Sequence, residues 1–251
     1  MIPIRSIIFN IAFYLWSLLT NVTYVVLWIL PVSFMVFGQR LWGQVINALL
    51  PLAGIHVEYR GLEKLPDNNH FIIAPKHQSA WDTMVFNTIL QHPAMVMKKE
   101  LTYIPLYGQH CLKSRMIPVD RKGGTAALKA MINKAKAAIA DGRPVLIYPQ
   151  GTRVAPGAPS TDAPYQPGIA ALYRNLNVPV YPVALNSGLF WPRRKFTRLP
   201  GTIVLEILDP IPVGLTRKDF MAELERRTED ASTALFDEGK AQLAAVGITK
   251  L

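Results

Sequence analysis

The sequence predicts an α/β fold, a mixed central sheet with flanking helices, preceded by an N-terminal hydrophobic helical segment that anchors the chain to a membrane. Three observations carry this. Between Arg5 and Arg40 no Asp, Glu, Lys, Arg or His occurs. Beyond Pro51 short β-branched runs alternate with stretches of helical period, the pattern of an α/β sandwich. Several of those runs are continuously apolar, as strands covered on both faces require.

The uncharged stretch outlasts the ~20 residues that a spanning helix needs and the roughly 7 to 15 apolar residues of a cleaved signal peptide. Pro31 interrupts it. A helix over about residues 6–30 and a second over about residues 34–50 are expected, either spanning or dipping into one leaflet. Trp16, Trp28 and Trp42 with Tyr14 and Tyr24 suit an interfacial aromatic belt. Residues 1–51 are thus expected as the anchor and residues 52–251 as one α/β domain. Strands are expected over residues 57–59, 71–74, 95–97, 116–119, 145–148, 178–184 and 203–208. Residues 125–140 read as an Ala- and Lys-rich helix stopped by Asp141-Gly142, and residues 168–175 as another. Residues 154–167 hold four of the chain's prolines and no periodicity, so an irregular loop is expected. Residues 216–245 read as a C-terminal amphipathic helix.

At 251 residues the chain suits one sizeable domain plus an appendage. Half the residues are apolar and 18% are charged, which excludes disorder. The single cysteine, Cys111, excludes an intrachain disulfide, and no Cys/His cluster has zinc-site spacing, so no metal is expected. A net charge of +10 favours anionic partners: nucleic acid, an anionic leaflet or phosphorylated substrates. Because the cations are dispersed rather than gathered in a stripe, a nucleic-acid-binding protein is the weaker reading.

Chemistry concentrates where strands end. His77 follows the expected strand at 71–74, and Asp82 stands five residues later. Imidazole is the base suited to neutral pH, and a carboxylate on its other nitrogen would hold the tautomer. Five-residue spacing brings the two together only if His77 lies outside the helix. Ser79 and Asp82 also form a Ser-x-x-Asp helix start, with Ser79 at the cap, which accounts for Asp82 without catalysis. Ser79 lacks a Gly-x-Ser-x-Gly elbow, which weighs against a serine hydrolase. Arg121 closes one expected strand and Gly151-Thr152-Arg153 another. Guanidinium forks suit phosphate oxygens, so these residues suggest an anion pocket beside a base.

In this order the segments resemble the 1-acyl-sn-glycerol-3-phosphate acyltransferases, over roughly residues 54–209. His77-Gln78-Ser79-Ala80-Trp81-Asp82 matches the family's His-x-x-x-x-Asp block. Lys98-Lys99-Glu100-Leu101 resembles the stretch that follows, Arg121 the arginine of the second block, Gly151-Thr152-Arg153 the Glu-Gly-Thr-Arg block, and Val178-Pro179-Val180-Tyr181-Pro182-Val183 the proline-containing strand. Gln150 departs from the pattern, standing where the family has glutamate. The resemblance implies acyl transfer from acyl-CoA or acyl carrier protein to the sn-2 hydroxyl of lysophosphatidate, giving phosphatidate. His77 would be the general base, Asp82 its orienting partner, Arg121, Gly151, Thr152 and Arg153 the phosphate contacts, with Ser79, Lys99 and Gln150 in support. It implies no cofactor beyond the donor, membrane lipids as partners, and a bacterial inner-membrane location with the catalytic domain on the cytoplasmic side. Within the same chemistry a lyso-ornithine lipid or a larger lysophospholipid is the alternative acceptor. His56, His70, His92 and His110 are expected to be structural or surface residues. Arg193-Arg194-Lys195 with Arg198 reads either as a solvated patch or as a lipid-headgroup contact.

Overall fold

A computed structural model describes residues 2–249. Helix α1 (Ile2–Thr23) runs into a 3-10 turn over Tyr24–Trp28, and α2 (Val32–Leu49) follows Pro31, whose ring starts the second helix rather than bending the first. The remaining helices are α3 (Asp82–Ile89), α4 (Tyr107–Lys113), α5 (Gly124–Ala140), α6 (Pro167–Leu176), the single turn α7 (Ser187–Phe190) and α8 (Arg217–Ala245). Thr216 caps α8, its hydroxyl accepting from the Asp219 N–H at 3.2 Å. Past α5 the chain turns at Gly142, which holds a left-handed φ of 68°.

Seven strands form one sheet: β1 (Ile55–Arg60), β2 (Ile72–Pro75), β3 (Ala94–Lys98), β4 (Ile117–Val119), β5 (Val145–Leu146), β6 (Val180–Leu185) and β7 (Gly201–Ile207), in the order β1-β7-β6-β2-β5-β3-β4. Each lies where the apolar runs predict. From β6 to β4 the neighbours are parallel; β7 runs antiparallel to β6, and β1 is parallel to β7. Five strands therefore deliver their carboxyl ends to one edge of the sheet, the edge where α/β proteins place their sites.

Strand alternation sends Phe71 and Ile73 to one core and Ile72 and Ala74 to the other. The second core is closed by α5, α6 and the start of α8 through Met131, Ile169 and Phe220. In the first, Phe9 of α1 and Ile46 of α2, with Leu50 just beyond, are fully buried among Trp81, Phe86 and Phe190. Residues 1–51 thus carry core side chains of the same packed body, and the division expected at residue 51 is not a gap in packing. Three expected belt aromatics turn their ring N–H groups inward: Trp16 to the Trp42 carbonyl at 3.3 Å, Trp42 to Ser17 Oγ at 3.2 Å and Trp28 to His110 Nδ1 at 2.9 Å. The opposite face of α1 is bare: Ile4, Ile7, Ile8, Ile11, Leu15, Leu18, Leu19 and Val22 recur at helical spacing and are exposed.

Candidate active site

The turn after β2 carries Lys76, His77, Gln78 and Ser79, and α3 begins only at Asp82. The later start corrects the capping expectation. Ser79 is not the cap; its hydroxyl instead donates to Asp82 Oδ1 at 2.8 Å. It also leaves His77 outside the helix, where its Nδ1 lies 2.9 Å from Asp82 Oδ2. That oxygen further accepts the Gln78 N–H at 2.6 Å and the Ser79 N–H at 2.8 Å, while Oδ1 takes a fourth and a fifth donor from Ser79 and Ser187, the latter at 2.5 Å. Asp82 is fully buried. Burial alone would push its pKa up, but the hydrogen bond and charge of His77, with the Ser187 and Ser79 bonds, hold it below the ordinary carboxylate value. An ionised Asp82 favours a proton on His77 Nδ1, which in the neutral imidazole leaves the lone pair on Nε2. The imidazole, 13% exposed, keeps access to the surface.

Two residues that the motif reading missed complete this arrangement. Tyr148, two residues beyond β5, stacks on the imidazole with ring centroids 4.2 Å apart and donates its hydroxyl to the Asp82 carbonyl at 2.8 Å. Ser187 opens α7, immediately after β6, and is fully buried. The polar pair Asn186-Ser187 closing an apolar strand was the available signal. The neighbouring Gly188 N–H donates to Gln78 Oε1 at 3.1 Å, tying the ends of β6 and β2 together. Behind the turn, buried Lys76 pairs with Glu229 of α8, which also accepts the Tyr165 hydroxyl at 2.9 Å.

The turn after β5 is built differently. Gly151 holds φ +66°, a left-handed backbone that favours glycine, and a Cβ there would lie 2.9 Å from Arg121 Nη2, so a side chain would also displace that guanidinium. Arg121, arriving from β4, donates to the Gly151 carbonyl at 2.5 Å. Arg153 follows at half-buried depth. Burial lowers its pKa, as does the repulsion of Arg193 and Arg194, while Asp82 opposes them. Among the described residues Arg121, Arg153, Arg193 and Arg194 form no ion pair with a carboxylate. Gln150 is buried, its amide N–H₂ donating to the Ala163 carbonyl at 3.0 Å and its Oε1 without a partner. The 154–167 loop is irregular as expected, apart from a 3-10 turn at Ser160–Asp162, and it is fastened by Val154 N–H to the His77 carbonyl at 2.8 Å. Lys99 stands apart: exposed at the end of β3, it pairs with Asp120 at 3.5 Å and has no contact with His77. Cys111 is buried, its thiol pushed up to about 11 by desolvation, and His110 is held between Trp28 and the Asn21 carbonyl, so both are structural.

A family profile described as Acyltransferase matches residues 56–186, just over half of the chain and spanning all the residues of the two turns. The chain is 34% identical over 178 residues to the 1-acyl-sn-glycerol-3-phosphate acyltransferase of Pseudomonas aeruginosa, covering 71% of this chain and 68% of that protein. It is 28% identical to the human 1-acyl-sn-glycerol-3-phosphate acyltransferase alpha, covering 70% of this chain and 62% of the relative. The crystal structure of the 1-acyl-sn-glycerophosphate (LPA) acyltransferase of Thermotoga maritima shares the fold, with a TM-score of 0.71 at 20% identity over 94% of this chain and 99% of that one. The profile match and the Pseudomonas relative, with the block order of the sequence, establish that this chain belongs to the 1-acyl-sn-glycerol-3-phosphate acyltransferase family.

Proposed function

We propose that the protein transfers a fatty acyl group from a thioester, acyl-CoA or acyl carrier protein, to the sn-2 hydroxyl of lysophosphatidate. The observation that carries this reading is the pairing of His77 with a saturated, ionised Asp82 beside a group of arginines without carboxylate partners. His77 Nε2 takes the hydroxyl proton as the oxygen attacks the thioester carbonyl. The tetrahedral adduct then collapses, the carbon–sulfur bond breaks, and the imidazolium returns the proton to the departing thiolate. Asp82 stabilises the imidazolium between those steps. Phosphatidate and a free thiol result, with no covalent acyl-enzyme. Arg121 and Arg153 hold the acceptor phosphate, with the N–H and hydroxyl of the Gly151-Thr152 turn available to the same anion.

The site works at a membrane surface. Ile2–Trp28 is long and apolar enough to cross a bilayer, but α1 touches the body along its length. Arg5 donates to the Leu52 carbonyl at 3.3 Å near one end, and the Asn21 carbonyl meets His110 Nε2 at 3.0 Å near the other. A helix held at both ends against the domain lies along the interface, its bare apolar face in the acyl layer, rather than passing through it.

The test is phosphatidate formation by the purified full chain with lysophosphatidate and each donor in turn, with lyso-ornithine lipid and lysophosphatidylcholine as competing acceptors. Transfer to lysophosphatidate that disappears in His77→Ala supports the reading. Transfer that survives His77→Ala, or that prefers an acceptor without a terminal phosphate, overturns it.

A further inference from the structure

The segment between α7 and β7, distant in sequence from α1, is bonded to it and carries an exposed aromatic. Phe196 is 74% exposed, large for a phenylalanine of a folded domain. Its exposure is not that of a slack loop. Asn10 of α1 donates to the Phe196 carbonyl at 2.8 Å, the Arg198 N–H donates to Ser6 Oγ at 2.9 Å, and the Ser6 hydroxyl reaches the Arg198 carbonyl at 3.2 Å. The Arg198 guanidinium is buried 4.8 Å from the Trp191 ring centroid and 5.8 Å from that of Phe9, and it donates to the Lys195 carbonyl at 2.6 Å. A buried cation spent on loop carbonyls fixes the backbone and holds Phe196 out.

Phe196 closes one wall of an apolar groove of about 340 Å³, with Ile7, Ile11, Tyr14 and Leu15 of α1 forming the rest and Asn10 at its floor. The residues just before it, Arg194 and Lys195, are exposed and form no ion pair among the described residues. An apolar groove with two exposed cations next in the chain to one of its walls has the chemistry that a phospholipid needs, apolar surface for an acyl chain and positive charge for a phosphate. Arg193 of the same segment donates to the Arg153 carbonyl at 3.1 Å, so this surface is continuous with the phosphate side of the candidate site.

We infer that residues 193–196 are a docking surface for an anionic phospholipid bilayer, Phe196 entering the acyl layer beside α1 while Arg194 and Lys195 bind lipid phosphates. The inference rests on the membrane-surface reading above and adds lipid selectivity to it. A neutral bilayer satisfies α1 alone; an anionic one engages both elements.

The test is partitioning of the full chain onto vesicles of phosphatidylcholine alone and of phosphatidylcholine mixed with phosphatidylglycerol, at low salt. The pair Arg194→Gln with Lys195→Gln should weaken binding to the anionic vesicles about 30-fold, since each cation near an anionic surface is worth roughly a factor of five, and should leave neutral vesicles unaffected. Phe196→Ser should weaken binding to both about tenfold. Wild-type partitioning by either variant, or an equal loss of the charge-pair variant on both vesicle types, overturns the inference. So does a charge-pair variant that binds vesicles normally but loses affinity for a duplex oligonucleotide, which would make the patch a nucleic-acid surface. Absence of acyl transfer in the unsubstituted protein would overturn the enzymatic reading and leave the vesicle result standing.

Discussion

The turns after β2 and β5 sit side by side on one sheet edge and treat their polar atoms in opposite ways. Asp82, serving the first, receives five donors on two oxygens inside the protein. Gln150, opening the second, is as thoroughly buried yet leaves its Oε1 with none, and Arg121 and Arg153 beside it lack carboxylate partners. A fully satisfied carboxylate has one arrangement and holds a proton in one place. A turn whose cations have no carboxylate partner keeps its charge for an anionic ligand. In the proposed reaction the first turn serves the chemistry and the second the binding.

The sharpest break in that contrast is His77→Ala. A positioned base contributes about 10²- to 10⁴-fold, so turnover should fall by that order, while lysophosphatidate affinity by equilibrium binding stays near the unsubstituted value. Arg153→Ala should do the reverse. It should raise KM for lysophosphatidate about 10- to 100-fold, the worth of a charge-assisted contact, and change kcat less. An equal loss in kcat would put Arg153 at the reacting centre and erase the division between the turns.

Ser187→Ala probes the satisfied side with a smaller effect, about tenfold in turnover, by removing one charge-assisted donor from Asp82. It carries a pH signature. Because the folded pKa of Asp82 lies below its unfolded value, its contribution to stability is complete above about pH 4 and is lost as pH falls through the folded pKa. Ser187→Ala raises that folded pKa toward the unfolded value, so the acid decline of the thermal midpoint should still begin near pH 4 but be smaller and end at higher pH than in the unsubstituted protein. A cavity effect alone would lower the midpoint equally at all pH values.

Gln150→Glu should change turnover least. It should nevertheless destabilise the protein by about 1 to 3 kcal/mol in denaturant unfolding at neutral pH, because a carboxylate would replace the amide that donates to Ala163 and sit buried against that carbonyl. Unaltered stability would mean that the 154–167 loop rearranges around the charge.

The strands were legible because a strand covered on both faces must be apolar throughout, and Phe71 to Ala74 or Val180 to Leu185 admits little else. His77 and Asp82 were legible because they are local, five residues apart. Ser187 was not: it reaches Asp82 across 105 residues, and nothing in a strand-end serine announces that distance. The anchor shows the same limit. Its apolar length is plain in the sequence, but hydropathy cannot separate a face turned to lipid from one turned to protein. Only packing shows that Phe9, Ile46 and Leu50 belong to the core. Gln150 was visible as a departure, and its role in fastening the loop through Ala163 was not.

The Lys76–Glu229–Tyr165 cluster couples the candidate site to the C-terminal helix. Lys76 immediately precedes the proposed base, and its buried ammonium is costly to keep without a carboxylate. That carboxylate stands on the last helix, more than 150 residues downstream. In the chain the apolar hairpin of α1 and α2 precedes Lys76, and Glu229 follows it by more than 150 residues. Lys76 gains its carboxylate only once α8 has docked, so the turn that carries His77 depends on the far end of the fold, and loosening α8 should be felt at that turn before it is felt in the sheet.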